Sequence, residues 1–350
     1  MLLKQTHFRN FRNFKDEKFQ INPFLTIVIG KNARGKTNLL EGIYFFINGV
    51  GFRETKEEEL IQINALTAQV EGTIGEKDDI NHFKISLNRQ DDVEKIFYID
   101  KTRKKHFQYL QQQMKAILFT PEQIDIILGS PSIRREYLNK LISLLDFEYK
   151  KRLSNFENAL RKRNRILEQH RDIIKLQEEL SFWNQYLEEQ AGYITRKREE
   201  YITYLNSHPK LDSKEFSIIY AKNVFTKERI KEVFNHESLV RKTLIGPQKD
   251  DFRILLKADM STESKNIHHF GSRSEQRLAV FWLKMNEIFY YEEFFKKRPL
   301  LLLDDVFSEL DLYNKKLILD LTKKYQTVVT TTEKEIVEFA EAPKTVITLI

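Results

Sequence analysis

The sequence predicts an α/β fold interrupted by a helical insertion. Three observations carry that prediction. An apolar β-branched run, a glycine-containing octet and an amphipathic stretch follow one another over residues 24–47. A second apolar run, ended by two adjacent carboxylates, spans residues 300–305. Between them, residues 153–194 carry apolar side chains at helical spacing.

The first cluster reads as strand, loop and helix. Phe24-Leu-Thr-Ile-Val-Ile29 has the composition of a buried strand. Gly30, Lys31, Asn32, Ala33, Arg34, Gly35, Lys36 and Thr37 then spell G-x-x-x-x-G-K-T, a phosphate-binding loop. After it, Leu39, Leu40, Ile43, Tyr44 and Ile47 share one helical face. Glycines at 30 and 35 let backbone N–H groups turn toward a phosphate, at a helix N-terminus that already favours anions. The loop with Asn38 is thus the expected ATP-binding segment. Lys36 is expected to meet the β- and γ-phosphates, and the Thr37 hydroxyl to meet Mg²⁺.

The second cluster is Leu300-Leu-Leu-Leu-Asp304-Asp305. Four apolar residues after Pro299 read as a central parallel strand, and its C-terminal end is where open α/β sheets hold ligands. Asp304 is expected to hold Mg²⁺, directly or through water. Asp305 is expected to orient or deprotonate the attacking water. Asp304 lies 267 positions after Thr37, too far for a small phosphoryl-transfer domain. Two halves of one nucleotide-binding domain with an insertion between them resemble the SMC-like branch of the ABC ATPases.

Ser272, Arg273, Ser274 and Glu275 open a further amphipathic helix, with Leu278, Phe281, Trp282, Met285, Ile288 and Phe289 on its expected apolar face. Serine followed three residues later by glutamate is a capping box. The same segment reads as an ABC-type signature, in which Ser272 and the helix N-terminus contact the γ-phosphate held by a second subunit.

With these residues in view, the chain resembles the RecF family nearly end to end. Phe8-Arg-Asn-Phe-Arg-Asn-Phe14 is similar to the family's opening motif, and Gly30–Glu41 to its extended phosphate loop. Phe119-Thr-Pro-Glu122 with Gly129–Arg135, Arg163-Asn164 with Trp183, Gly246–Asp251, and the 300–311 stretch resemble further family segments in the same order. Ser274 stands where members carry glycine, Gln123 where aspartate is usual, and Gln248-Lys249 where His-Arg is usual. Asp305 agrees with the family, whereas many ABC ATPases place glutamate there; the shorter side chain fits slow turnover. The resemblance implies an ATPase whose ATP-dependent homodimer binds double-stranded DNA near gaps. It further implies that, with RecR and RecO, the dimer aids RecA loading and is reset by hydrolysis. A different reading keeps the ATPase but makes it an SMC-like regulatory subunit controlling a separate effector such as a nuclease.

Composition agrees with a partner rich in phosphate. The net charge is +7 and the isoelectric point is near 9.1. Cysteine is absent, which excludes disulfides and cysteine zinc sites. Neither an apolar leader nor a membrane-length apolar run stands out, so a cytoplasmic location without membrane contact is expected.

The expected plan is an ABC/SMC-type P-loop ATPase head formed by residues 1–118 and 209–350, with 119–208 as an inserted, short coiled-coil-like helical domain. Ala65–Ile74, His82–Asn88 and Val93–Ile99 read as antiparallel strands near the ATP site, and Thr345–Ile350 as the last strand. Leu153, Phe156, Leu160 and Leu167 form one seam of a helical hairpin, and Leu176, Leu180, Trp183, Leu187 and Ile194 the other. The turn falls near His170-Arg171. Arms of about 20–25 residues span roughly 30–40 Å. Lys101, Arg103, Lys104 and Lys105, expected on a hairpin tip, and Arg53, just past the first helix, are the candidate DNA contacts. Arg161, Lys162, Arg163 and Arg165 on the arm form a second basic group.

Overall fold

The structure is a computed structural model that describes residues 1–54, 56–76, 79–111, 114–169, 172–257, 263–309, 312–333 and 335–349. Two compact units divide it: Met1–Glu122 with Glu287–Ile350, and Gln123–Asn286.

The first unit opens with β1 (Leu2–Phe11), β2 (Phe14–Gln20), β3 (Leu25–Gly30), β4 (Thr67–Glu76), β5 (Asp79–Arg89), β6 (Val93–Ile99), β7 (Thr102–Lys104) and β8 (Ala116–Phe119). The second unit holds β9 (Lys210–Leu211), β10 (Lys214–Ala221), β11 (Asp251–Lys257) and β12 (Ser264–Asn266). The first unit resumes with β13 (Leu300–Asp304), β14 (Thr327–Thr331) and β15 (Lys344–Leu349).

An antiparallel sheet in the order β2-β1-β4-β5-β6-β7 faces a parallel sheet in the order β15-β3-β14-β13-β8 across the helix Lys36–Asn48. The three strands expected between 65 and 99 are β4, β5 and β6. Leu39, Leu40, Ile43, Phe46 and Ile47 are fully buried, each worth about 1.5–3 kcal/mol of apolar transfer. The helix buries more than the one face its spacing suggests: Phe45 and Phe46 are inside as well, because both sheets press on it. Gly42 permits the close approach, since a Cβ there would meet the Phe8 ring at 2.7 Å. β13 has all five residues buried, as its uninterrupted apolar run requires. β15 begins at Lys344, and Ile350 lies outside the described residues.

In the second unit, Phe147–Gln169 and Ile173–Ser207 form the expected antiparallel pair. Arg152 bonds Glu189, Arg163 bonds Asn184, and Leu167 packs with Leu176 and Leu180, so residue numbers fall along one helix as they rise along the other. His170 and Arg171 lie outside the described residues. The second helix has 35 residues against the 20–25 expected. It continues because its last turns are buried: Arg198, Tyr201 and Leu205 are almost solvent-free.

Two buried ion pairs join this hairpin to later chain. Arg163 meets Glu237 at 2.7 Å with both side chains at 0% exposure, and Arg198 meets Asp250 at 2.6 Å. The sequence places the end of the insertion at 208, whereas the compact unit closes at Asn286, because these pairs and β9–β12 pack with the helices. At the other end, β8 keeps Phe119 in the parallel sheet. Burial of Arg163 also removes it from the basic surface expected on the arm. The helix Arg273–Phe295 is rotated from its expected face: Ala279, Trp282 and Leu283 are buried, while Phe289 is 38% exposed. Trp282 keeps its expected burial, and within this unit its indole N–H donates to the His208 carbonyl at 2.9 Å. No described helix is long and apolar enough to cross a membrane.

Candidate phosphate-binding site

β3 ends at Gly30, and the loop that follows delivers the chain into the helix starting at Lys36. Gly35 sits in the left-handed region at φ 93°, and a Cβ there would meet the Asn13 side chain at 2.5 Å. Only glycine satisfies both demands. Lys31, Asn32, Ala33 and Arg34 form the exposed tip, with Ala33 also left-handed at φ 64°. Lys36 is buried, and its ammonium donates to the carbonyls of Gly30 at 2.8 Å and Lys31 at 3.3 Å.

The parallel sheet brings the second motif to this loop. Register pairs Asp304 with Thr330, and Thr330 with Val28 near the end of β3. Thr37 Oγ1 donates to Asp304 Oδ1 at 3.1 Å, and Thr330 Oγ1 donates to the same oxygen at 2.6 Å. Burial pushes the Asp304 carboxyl up from its ordinary range, against the pull of the two hydroxyls. Asp305 turns out of the strand at φ 49°, and its N–H donates to Thr330. Burial raises its pKa too, while the charge of Lys36 acts in the opposite direction. Leu310 and Asp311, at the end of the motif, lie outside the described residues.

A carboxylate and a hydroxyl at hydrogen-bond distance are hard oxygen donors and fit Mg²⁺, which takes few protein ligands and leaves the rest to phosphate and water. Among the described residues there is no cluster of three or more His, Cys, Asp or Glu side chains that could hold a metal unaided.

The fold also joins the opening motif to the phosphate-loop helix, a contact that neither motif announces by itself. Glu41 is fully buried and accepts from Arg12 at 2.7 and 3.1 Å and from Arg53 at 2.9 Å. Arg53 also bonds Asn38, and Asn38 donates to Asn13 at 2.7 Å. Arg53 therefore stands beside the loop, paired with a buried acid while its own side chain is 41% exposed. Arg12, Asn13, Asn38, Arg53, Gln62 and Ile63 line a cavity of 820 Å³ next to the loop. The one signal in the chain that points here is the pairing of Arg12 in the opening motif with an acid inside the first helix.

Ser272, Arg273, Ser274 and Glu275 belong to the other compact unit, and the capping box forms there. Ser272 N–H donates to Glu275 Oε2 at 2.8 Å, and Glu275 N–H donates to Ser272 Oγ at 3.3 Å. Against the cost of burial, Lys265 at 2.7 Å and Ser272 hold the Glu275 carboxyl below its usual range. Ser272, Arg273 and Ser274 are exposed.

The basic cluster is split by its strand. Lys101 occupies the turn after β6, but Arg103 and Lys104 are residues of β7, opposite Tyr98 and Phe97. Successive strand residues point to opposite faces, so these two cannot act side by side. Arg103 is paired with Glu94 at 3.1 Å, and Lys105 is exposed.

A family model described as the RecF/RecN/SMC N terminal domain matches residues 2–349. The DNA replication and repair protein RecF of Lactobacillus gasseri is 32% identical over 371 residues, covering 98% of this chain and 96% of that protein. A solved structure of the recombination mediator protein RecF-ATPrS in the RecFOR pathway superposes with a TM-score of 0.85 at 27% identity, covering 99% of this chain and 95% of the other. A second, RecF-ATP in the RecFOR pathway, superposes with a TM-score of 0.82 at 28% identity, covering 95% and 92%.

Proposed function

The chain belongs to the RecF/RecN/SMC N-terminal domain family and, within it, to the RecF proteins; on that premise we propose that it is an ATP-driven DNA-binding protein of recombinational repair. The observation that carries the reading is the bond from Thr37 to Asp304, which joins two distant motifs at the C-terminal ends of parallel strands.

The backbone N–H groups of Gly30–Asn38 hold the triphosphate of ATP, and Lys36 exchanges its loop carbonyls for the β- and γ-phosphate oxygens. The neighbouring cavity beside Asn38 takes the nucleoside, with Arg12 and Arg53 on its wall. Thr37 and Asp304 would hold Mg²⁺, which when bound would supply positive charge to offset the charge developing on the transferred phosphoryl group. Asp305 accepts a hydrogen bond from the attacking water, and its raised pKa makes it a better base than an ordinary aspartate.

In the same reading, residues 1–118 and 209–350 serve as the ATPase head and 119–208 as its inserted arm, residues 209–286 being the part of the head that packs with the arm in the second compact unit. Two cytoplasmic copies join head to tail, with Ser272 of one copy capping the γ-phosphate held by the other. The capped helix start at Ser272 supports this, since its N-terminus is an anion site. The dimer binds double-stranded DNA through the phosphate backbone and acts with RecR and RecO at gaps to aid RecA loading. Hydrolysis separates the copies. Lys101 and Lys105 are the stronger DNA candidates, because Arg103 and Arg53 are already committed to acids.

Sedimentation velocity tests the joint. The wild-type chain should dimerise with ATP and duplex DNA but not with ADP. Ser272→Arg should bind ATP as a monomer and lose both dimer and hydrolysis. Normal ATP-dependent dimers of Ser272→Arg would reject the composite site.

A further inference from the structure

The second compact unit encloses a cavity of 330 Å³ that the nucleotide chemistry does not use. That volume falls within the range of about 300–1,000 Å³ typical of small-ligand sites. Its walls differ in character. The helix Pro131–Leu145 contributes Arg135 and Asn139, and the helix Phe147–Gln169 contributes Leu153, Phe156 and Leu160.

The polar wall offers donors. Half-buried Arg135 donates from Nη1 to the Asp250 carbonyl at 2.9 Å, and among the described residues no carboxylate lies within ion-pair distance of it. Asn139 Oδ1 accepts from Tyr149 at 2.7 Å and from Arg198 Nη2 at 2.8 Å. Both bonds fix the amide so that Nδ2, with its two N–H groups, remains to donate. Arg198, also on the wall, is committed to Asp250, Pro247, Tyr149 and Asn139. Burial, and after it the charge of Arg198, disfavour the Arg135 cation, while the Asp251 and Asp250 carboxylates act the other way. The acids of the cavity limit how much negative charge it accepts. Glu136 is bonded to Lys140 at 2.7 Å, and Glu157 is exposed. Two nearby carboxylates oppose a dianion such as phosphate more than a single carboxylate.

We propose that this cavity binds an apolar monocarboxylate, whose carboxylate accepts from Arg135 and Asn139 Nδ2 while its apolar body rests on Leu153, Phe156 and Leu160. A free acid and the C-terminal residue of a peptide share this chemistry. The site lies wholly within residues 123–286 and rests on no part of the ATP reading.

Ligand-observed NMR titration of the full chain tests it with three probes: 3-phenylpropionate, N-acetylphenylalanine and N-acetylphenylalaninamide. Both acids should bind with Kd of about 1 mM, as expected for ligands of this size. The amide should bind at least tenfold more weakly, and Arg135→Gln should weaken the acids at least tenfold. Tighter binding of N-acetylphenylalanine identifies a peptide C-terminus as the source, and tighter binding of phenylpropionate a free acid. Leu160→Trp provides a variant that keeps Arg135 and its bond to Asp250; by filling the cavity it should block both acids while leaving ATP binding unchanged. Equal binding of amide and acid, no binding by either acid, or binding indifferent to Leu160→Trp overturns the proposal.

Discussion

Thr37 Oγ1 donates to Asp304 Oδ1 across 3.1 Å, although the two residues stand 267 positions apart. The same oxygen accepts from Thr330 on β14, the strand between Asp304's β13 and β3, which leads into the helix of Thr37. A buried carboxylate with two hydroxyls and no cationic partner at ion-pair distance among the described residues is an arrangement suited to a cation, and it has a cost for the folded chain.

That cost gives the first prediction. Burial raises the Asp304 pKa above its unfolded value, so the folded state holds the proton more tightly. The resulting stabilisation is fully present below the unfolded pKa and is lost as pH rises through the folded one. Ionised Asp304 therefore destabilises the nucleotide-free protein at neutral pH. Asp304→Asn should raise stability there by about 0.5–2 kcal/mol, read as a higher Tm by calorimetry, with the gain shrinking as pH falls through the carboxylate range. Hydrolysis should fall sharply in the same variant. A Tm that drops or stays level at neutral pH contradicts the account.

Binding and chemistry should separate at the neighbouring residues. Lys36→Ala removes the ammonium that meets the phosphates and should weaken ATP binding at least about tenfold. Asp305→Asn should leave binding nearly intact and slow hydrolysis by about 10²–10⁴-fold, the usual range for losing a general base. Fluorescent-nucleotide titration and phosphate release measure the two effects. Equal loss of binding in both variants would overturn the assigned roles.

Glu41 should matter for stability as well as for the site. It is fully buried between Arg12 and Arg53, so Glu41→Ala leaves two guanidiniums without their acid. Breaking a buried pair from one side costs about 3–5 kcal/mol. Urea unfolding should show a loss of that size, and a loss below about 1 kcal/mol, the range of surface pairs, would mean that solvent already screens the cluster.

Affinity for duplex DNA should fall steeply with salt and vary little with sequence. Removing the charges of Lys101, Arg103, Lys104 and Lys105 together should flatten the salt slope by up to about one unit per lost contact. Lys101 and Lys105 should account for more of it than Arg103, which Glu94 already holds. An unchanged slope moves the DNA surface elsewhere on the protein.

Much of the nucleotide site is legible in the amino-acid sequence, because its determinants are short-range. Gly35 must adopt a left-handed conformation, Lys36 must open a helix, and β13 must be apolar throughout until it ends in Asp304; each leaves a mark within a few residues. The antiparallel strands from 67 to 99 and the arm seam at Leu167, Leu176 and Leu180 are legible for the same reason, since apolar periodicity is local.

What the sequence determined by itself was the identity of the elements: a phosphate loop between a strand and a helix, a carboxylate-tipped strand, a capped helix at Ser272 and a helical hairpin. What only the tertiary structure decided was which of them meet. The order β15-β3-β14-β13-β8 brings Asp304 beside Thr37, the fold carries Arg12 and Arg53 to Glu41, and Arg198 reaches Asp250 to extend the second unit to Asn286. The reason is physical. A helix or strand is specified by spacing along the chain, whereas an ion pair or a strand neighbour is chosen by packing among residues tens to hundreds of positions apart, and such a choice leaves no period in the sequence.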